Sequence, residues 1–172
     1  MALYTNHLEI PSEIDGLPVT AIADSAFKGK EYIVSVSIPD SVTSIGASAF
    51  EGCEYLKNVD LPDTITEIAS STFSDCVCLE SIVIPDSVKS IGSYVFSGCD
   101  KLKNVEVPDT LSSIGSYAFE NCVSLTEAII PAGTDRINNN AFYGCTGLTS
   151  VTLPYGIEDF GSRAFENCTG LK

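Results

Sequence analysis

Residues 44–53 read SIGASAFEGC, and nearly the same phrase returns as SIGSYVFSGC at 90–99 and as SIGSYAFENC at 113–122. The recurrence extends along the chain. Pro39, Pro62, Pro85, Pro108, Pro131 and Pro154 stand 23 residues apart. So do Phe27, Phe50, Phe73, Phe96, Phe119, Phe142 and Phe165, and so do Cys53, Cys76, Cys99, Cys122, Cys145 and Cys168. Three columns with one spacing mark a solenoid, in which each unit buries its apolar face only against its neighbours. Residues 1–172 are therefore read as one repeat domain of about seven coils.

One repeat shows how a coil is built. In Cys53–Asp75, Val59-Asp60-Leu61 alternates as a short strand does. Pro62 follows; it has no N–H for a ladder and turns the chain out of the sheet. Ile65 and Ile68 then face a second side of the core. The stretch holding Phe73 is short enough for a single helical turn, α or 3-10. The residue before each Cys is Gly52, Asp75, Gly98, Asn121, Gly144 or Asn167, with Gly29 upstream. These residue types tolerate positive φ, so the column reads as a left-handed stop. Pro11 to Phe27 is five residues longer than Pro39 to Phe50, and Asp15-Gly16 signals a turn there. That insertion is read as a terminal irregularity rather than a binding loop.

The phrase IPDSVTSIGASAFEGCEYLKNV, residues 38–59, resembles the BspA-type leucine-rich repeat, a 23-residue bacterial class. The resemblance runs from about Leu8 to Lys172. It implies a leucine-rich-repeat-like solenoid of right-handed coils. A parallel β-sheet would line the concave face, and short strands, turns or single helical or 3-10 turns the convex face. It also implies a large bacterial surface or secreted protein, in some relatives an adhesin, and it brings no catalytic residues. Ala128, Asn138, Phe160 and the stretch PAGTD depart from the pattern, so the last two coils are expected to be less regular.

Charge limits the partners. Nine basic against 23 acidic residues leave a net charge of -14, which argues against nucleic acid as a partner and disfavours anionic membranes. No apolar run is long enough to span a bilayer, and the chain does not open with a signal peptide. Because the chain is read as a piece of a longer protein, that opening does not decide its location.

The chemistry-bearing residues point away from catalysis. The six column cysteines read as small core residues. Cys78 stands outside the column, among mixed and mostly polar equivalents, and is the thiol expected to be accessible. Asp40, Asp63, Asp86 and Asp109 form a row with three readings: turn chemistry, calcium ligation, or a carboxylate pair. Their recurrence with the coil, and their loss at Ala132 and Tyr155, favour the turn. His7 is the single histidine, and nothing in the sequence places a nucleophile beside it. Neither enzyme activity nor a cofactor or metal is expected.

What varies is the outward side of the strands. Lys57, Asn58, Asp60, Glu80, Ser81, Val83, Lys103, Asn104, Glu106, Thr126, Glu127, Ile129, Thr149, Ser150 and Thr152 change while the core columns hold, and Ser35 and Ser37 extend the set. Constant scaffold beside variable surface is the pattern of a noncatalytic protein-binding or adhesion face. Val83 and Ile129 are its apolar contact points, and no aromatic anchor is among them. The expected ligand is a protein of the host matrix or a cell surface. The alternatives are a structural spacer and an ancillary domain of a secreted enzyme. The last coil, with Phe165, Cys168 and Leu171, is further expected to self-associate through the C-terminal end.

Overall fold

The computed structural model describes residues 6–172. Its apolar columns leave water by stacking coil on coil into one continuous core. One series of three-residue strands comprises β1 (His7–Glu9), β5 (Ser35–Ser37), β7 (Asn58–Asp60), β9 (Ser81–Val83), β11 (Asn104–Glu106), β13 (Glu127–Ile129) and β15 (Ser150–Thr152). A second series of two-residue strands comprises β4 (Ala21–Ile22), β6 (Ser44–Ile45), β8 (Glu67–Ile68), β10 (Ser90–Ile91), β12 (Ser113–Ile114), β14 (Arg136–Ile137) and β16 (Asp159–Phe160). Every pairing within the two series is parallel, as a solenoid requires. The first series starts one residue earlier than alternation predicts: Ile38 lies past the end of β5, although its N–H still bonds the Asp60 carbonyl at 3.1 Å.

The five-residue insertion is an antiparallel hairpin, β2 (Glu13–Ile14) and β3 (Leu17–Pro18). Asp15 and Gly16 turn it with φ of 54° and 77°, the pair of left-handed residues that a two-residue hairpin needs.

The single helical turn expected around each Phe is not formed; the segment is a chain of β-turns. Ser48, Phe50 and Gly52 donate their N–H groups to Ser70, Thr72 and Ser74 of the next coil. Only Ala49, Glu51 and Cys53 bond three residues back. A helix would keep all its donors within the coil, whereas here alternate donors serve the neighbour. The left-handed column is present at all seven positions, from Gly29 to Asn167. Gly and Asx alternate along most of it, and the packing shows why: a Cβ on Gly98 would collide with the Asp75 carboxylate, and one on Gly144 with the Asn121 amide. A second left-handed column, Ser25, Ser48, Ser71, Tyr94, Tyr117, Asn140 and Arg163, carries no residue type that announces it.

The recurring Ile-Gly pair is explained by close approach. The Gly46, Gly92, Gly115 and Gly161 N–H groups each donate 2.7–2.9 Å to an Ile carbonyl of the preceding coil. A Cβ at Gly115 would run into the backbone of Gly92, and the other three would likewise strike the preceding coil's backbone. Wherever this column holds Gly, the two-residue strand pairs with the coil before it: β4–β6, β8–β10, β10–β12 and β14–β16. The column lacks Gly at Ala23, which follows the first strand of the series, and at Ala69 and Asn138, where no ladder joins β6 to β8 or β12 to β14. At Asn138 the side-chain Nδ2 takes over the donation to Ile114 at 2.7 Å.

The joint to the coil after Asn121 is the least regular, as its sequence departures predict, because both ladders break there: the three-residue series is interrupted between β11 and β13, as it also is between β7 and β9. Ala128 replaces the usual Val or Ile and borders a cavity of about 20 Å³ with Val105, Val107 and Ile129. Thr134 occupies the column of Val42, Ile65, Val88 and Leu111, is 3% exposed, and its hydroxyl has no partner.

The core itself is an aromatic ladder. Seven phenylalanines stack from Phe27 to Phe165, with successive ring centroids 5.1–5.9 Å apart. Beside it, each column Cys Sγ lies 3.0–3.3 Å from the carbonyl of the preceding coil's Phe, from Cys53–Phe27 to Cys168–Phe142. A buried small residue with one weak donor suits this place. All seven cysteines are free. Burial pushes the Cys76, Cys99 and Cys122 thiols up, so thiolate chemistry is suppressed at these three, while the hydrogen bond from Cys145 lowers Cys168 at the end of the column. Cys78 alone is not buried, and Lys101 Nζ lies 3.6 Å from its sulfur.

Two outcomes follow from this packing. Thr134→Val removes a buried unpaired hydroxyl at nearly constant volume and should raise the unfolding free energy by about 1 kcal/mol. Denaturant melts read this, and a loss of stability would show that the hydroxyl is satisfied. Brief treatment of the native protein with a thiol reagent should give one adduct, at Cys78, by mass spectrometry. Rapid adducts at several column cysteines would contradict their burial.

Candidate protein-binding face

The three-residue strands point their central residues, Val36, Val59, Ile82, Val105, Ala128 and Val151, toward the core. Period-2 alternation then turns the flanking residues outward. All 15 candidate residues are exposed, namely Lys57, Asn58, Asp60, Glu80, Ser81, Val83, Lys103, Asn104, Glu106, Thr126, Glu127, Ile129, Thr149, Ser150 and Thr152. On this outward face those within the strands stay in repeat register where ladders form, with Val83 opposite Glu106 and Ile129 opposite Thr152, while Lys57, Glu80, Lys103, Thr126 and Thr149 each stand one residue before a strand. Ser35 and Ser37 share that face and are half-buried.

Its rows alternate in character. Lys57, Glu80 and Lys103 alternate in charge, and Lys103 Nζ bonds Glu80 Oε2 at 3.1 Å. That hydrogen bond, with the ammonium's charge, holds the Glu80 carboxyl below the usual carboxylate range. Asp60, Val83, Glu106 and Ile129 alternate acidic and apolar, and Val83 and Ile129 are 59% and 55% exposed.

Sequence reasoning missed the aromatic rim. Tyr32 and Tyr55 are 65% and 55% exposed and line one hollow with Val34 at the end of this face nearer the N-terminus. They precede their strands, in the mixed column that includes Cys78, so strand alternation could not select them. A stacked pair, Tyr94 and Tyr117 with centroids 4.6 Å apart, lies in the second left-handed column.

The other candidates resolve differently. Asp40, Asp63, Asp86 and Asp109 are exposed. The Asp40 carboxylate accepts the Asp63 N–H of the next coil at 3.1 Å, not an N–H two residues on. The Pro39 carbonyl closes the turn instead, accepting the Val42 N–H at 2.9 Å. Among the described residues no His, Cys, Asp and Glu side chains cluster to hold a metal. The structure does place a hydroxyl beside His7, which sequence spacing did not: Ser35 Oγ is 2.8 Å from Nδ1. The two are 28 residues apart because the hairpin lengthens the first coil. His7 is exposed, and among the described residues no carboxylate hydrogen-bonds its ring, so the contact lacks the rest of a nucleophilic site. No helix of the described residues is long and apolar enough to cross a membrane.

Comparison with known proteins agrees with the architecture. A family model described as "BspA type Leucine rich repeat region" matches residues 20–131 and 66–172, in six copies. The crystal structure of the T. pallidum leucine-rich repeat protein TpLRR is 40% identical with a TM-score of 0.93, over 97% of this chain and 78% of that one. A leucine-rich cell surface protein from Faecalibacterium prausnitzii is 25% identical with a TM-score of 0.56, over 97% of this chain and 68% of that one. The pneumococcal vaccine antigen PcpA shares the fold at 21% identity and a TM-score of 0.52, over 92% of this chain and 54% of that one. No curated protein matches. With its 23-residue columns, its two parallel strand series and these matches, the chain belongs to the BspA-type leucine-rich repeat family.

Proposed function

We propose that this chain is a noncatalytic protein-binding scaffold of a bacterial surface or secreted protein, and that its strand face carries the contacts. The observation behind this reading is the contrast between the two sides of each strand. Val36, Val59, Ile82 and Val105 hold one apolar column, while the residues between them change from coil to coil and stay exposed. Val83 and Ile129 supply apolar contact, and Tyr32 and Tyr55 supply aromatic anchors of the kind enriched in hot spots. The cell surface protein among its structural relatives supports the proposed location.

The ligand is expected among host matrix or cell-surface proteins, since acidic repeats of this kind have no surface for nucleic acid. Immobilised protein should capture a ligand from such a panel. A face variant, Tyr55→Ala with Val83→Ser and Ile129→Ser, should weaken capture about tenfold or more at an unchanged melting temperature. Capture that is indifferent to the variant would place the contacts elsewhere, and no capture across the panel would favour a spacer.

A further inference from the structure

We propose that the strand face docks an amphipathic α-helix of the partner, laid along the stacking axis, with a basic and an apolar residue on alternate turns. The proposal rests on the protein-binding reading above and adds the shape and chemistry of the ligand.

The coil spacing matches the pitch of a helix. Of the strands that carry Asp60, Val83, Glu106 and Ile129 only β9 and β11 are bonded, about 4.8 Å apart; the coil repeat itself is given by the Phe rows, 5.1–5.9 Å apart. An α-helix advances about 5.4 Å per turn, so a helix parallel to the axis presents one turn to each coil. Residues at i, i+3 or i+4, i+7 and i+11 then meet four successive coils. Other backbones lose this register. An extended strand repeats its side every ~6.7 Å, and a polyproline helix every ~9.3 Å.

The chemistry of the row sets the character of that helix. Asp60, Val83, Glu106 and Ile129 occupy equivalent positions in four successive coils and present acid, apolar, acid, apolar. A Lys or Arg opposite each acid and a Leu or Ile opposite Val83 and Ile129 complete the match, and the net charge of -14 favours a basic partner. The row of Lys57, Glu80 and Lys103 stands one residue before the strands, at most about 10 Å of extended chain from the first row. That is the width of a helix with its side chains, so acidic residues on the helix flank would reach Lys57 and Lys103 and fix its direction. The alternation has a two-coil period, as does the Gly/Asx packing that pairs Asp75 with Gly98 and Asn121 with Gly144. One two-coil unit therefore offers one acidic and one apolar subsite.

The test uses a hydrocarbon-stapled helix of about 18 residues with Lys and Leu alternating on one stripe. A second stapled helix carries the same residues redistributed around its circumference, and a polyproline peptide carries the same charge. Fluorescence anisotropy gives affinities, and amide shifts in labelled protein locate the site. The striped helix should bind about tenfold tighter than either control, shift the strand residues, and lose about tenfold on the double change Asp60→Asn with Glu106→Gln. Equal binding of the three peptides, tighter binding of the polyproline peptide, shifts confined to another surface, or an unaffected double variant would each overturn the proposal. If the striped helix fails while the face variant still abolishes capture of a protein ligand, the helix is wrong and the binding face stands. If capture is also indifferent to the face, both readings fall.

Discussion

Everything in this molecule depends on how closely one coil can approach the next. A 23-residue coil has too little chain to bury a Phe, several aliphatic side chains and its own backbone groups, so their partners must come from the neighbour. The Ile-Gly column sets that approach. Without a Cβ, Gly115 lies against the backbone of Gly92, its N–H reaches the Ile91 carbonyl at 2.8 Å, and β10 and β12 pair. Ala69 and Asn138 show the consequence of a Cβ at the same place, because the ladder is missing at both. The Phe stack, the Cys-to-carbonyl contacts and the sideways hydrogen bonds of the turns continue across Ala69 and Asn138, with Phe119 and Phe142 5.1 Å apart, so what the glycines set is the approach of the second strand series.

The fold was legible because its determinants repeat. Pro, Phe and Cys columns announced the solenoid, and the Gly/Asn/Asp column located the seven left-handed residues before each Cys position. What could not be read is what depends on contact between coils. The sequence shows that Gly follows Ile but not that a backbone lies against it. Ser48, Tyr94 and Arg163 have positive φ although nothing in their type demands it. The helical turn was a misreading with a physical cause: a short segment with small residues fits one turn of helix, but here its alternate donors bond the next coil.

The candidate face was legible for a similar reason, since strand alternation separates inward from outward residues without any knowledge of the neighbours. Its pairings were not. The His7–Ser35 contact and the Tyr32–Tyr55 rim depend on the lengthened first coil and on residues just outside the strands. The cavity beside Ala128 was foreshadowed only as irregularity in the coil that carries Ala128, Thr134 and Asn138. The ladder of that face is interrupted between Glu106 and Ile129, and also between Asp60 and Val83, so of these four only Val83 and Glu106 are joined directly by strand pairing.

The account is tested most directly by Gly115→Ala. Conformational entropy alone favours Ala over Gly by about 0.4–1 kcal/mol where the backbone is compatible, and Gly115 has no positive φ to forbid it. Close approach demands the opposite sign, because the new methyl must push β12 away from β10 and break the Gly115–Ile91 bond. Equilibrium unfolding in denaturant should show Gly115→Ala less stable than the parent by about 2 kcal/mol or more. A variant as stable as the parent, or more stable, would contradict the claim that the glycine column sets how closely the second strand series can approach and pair.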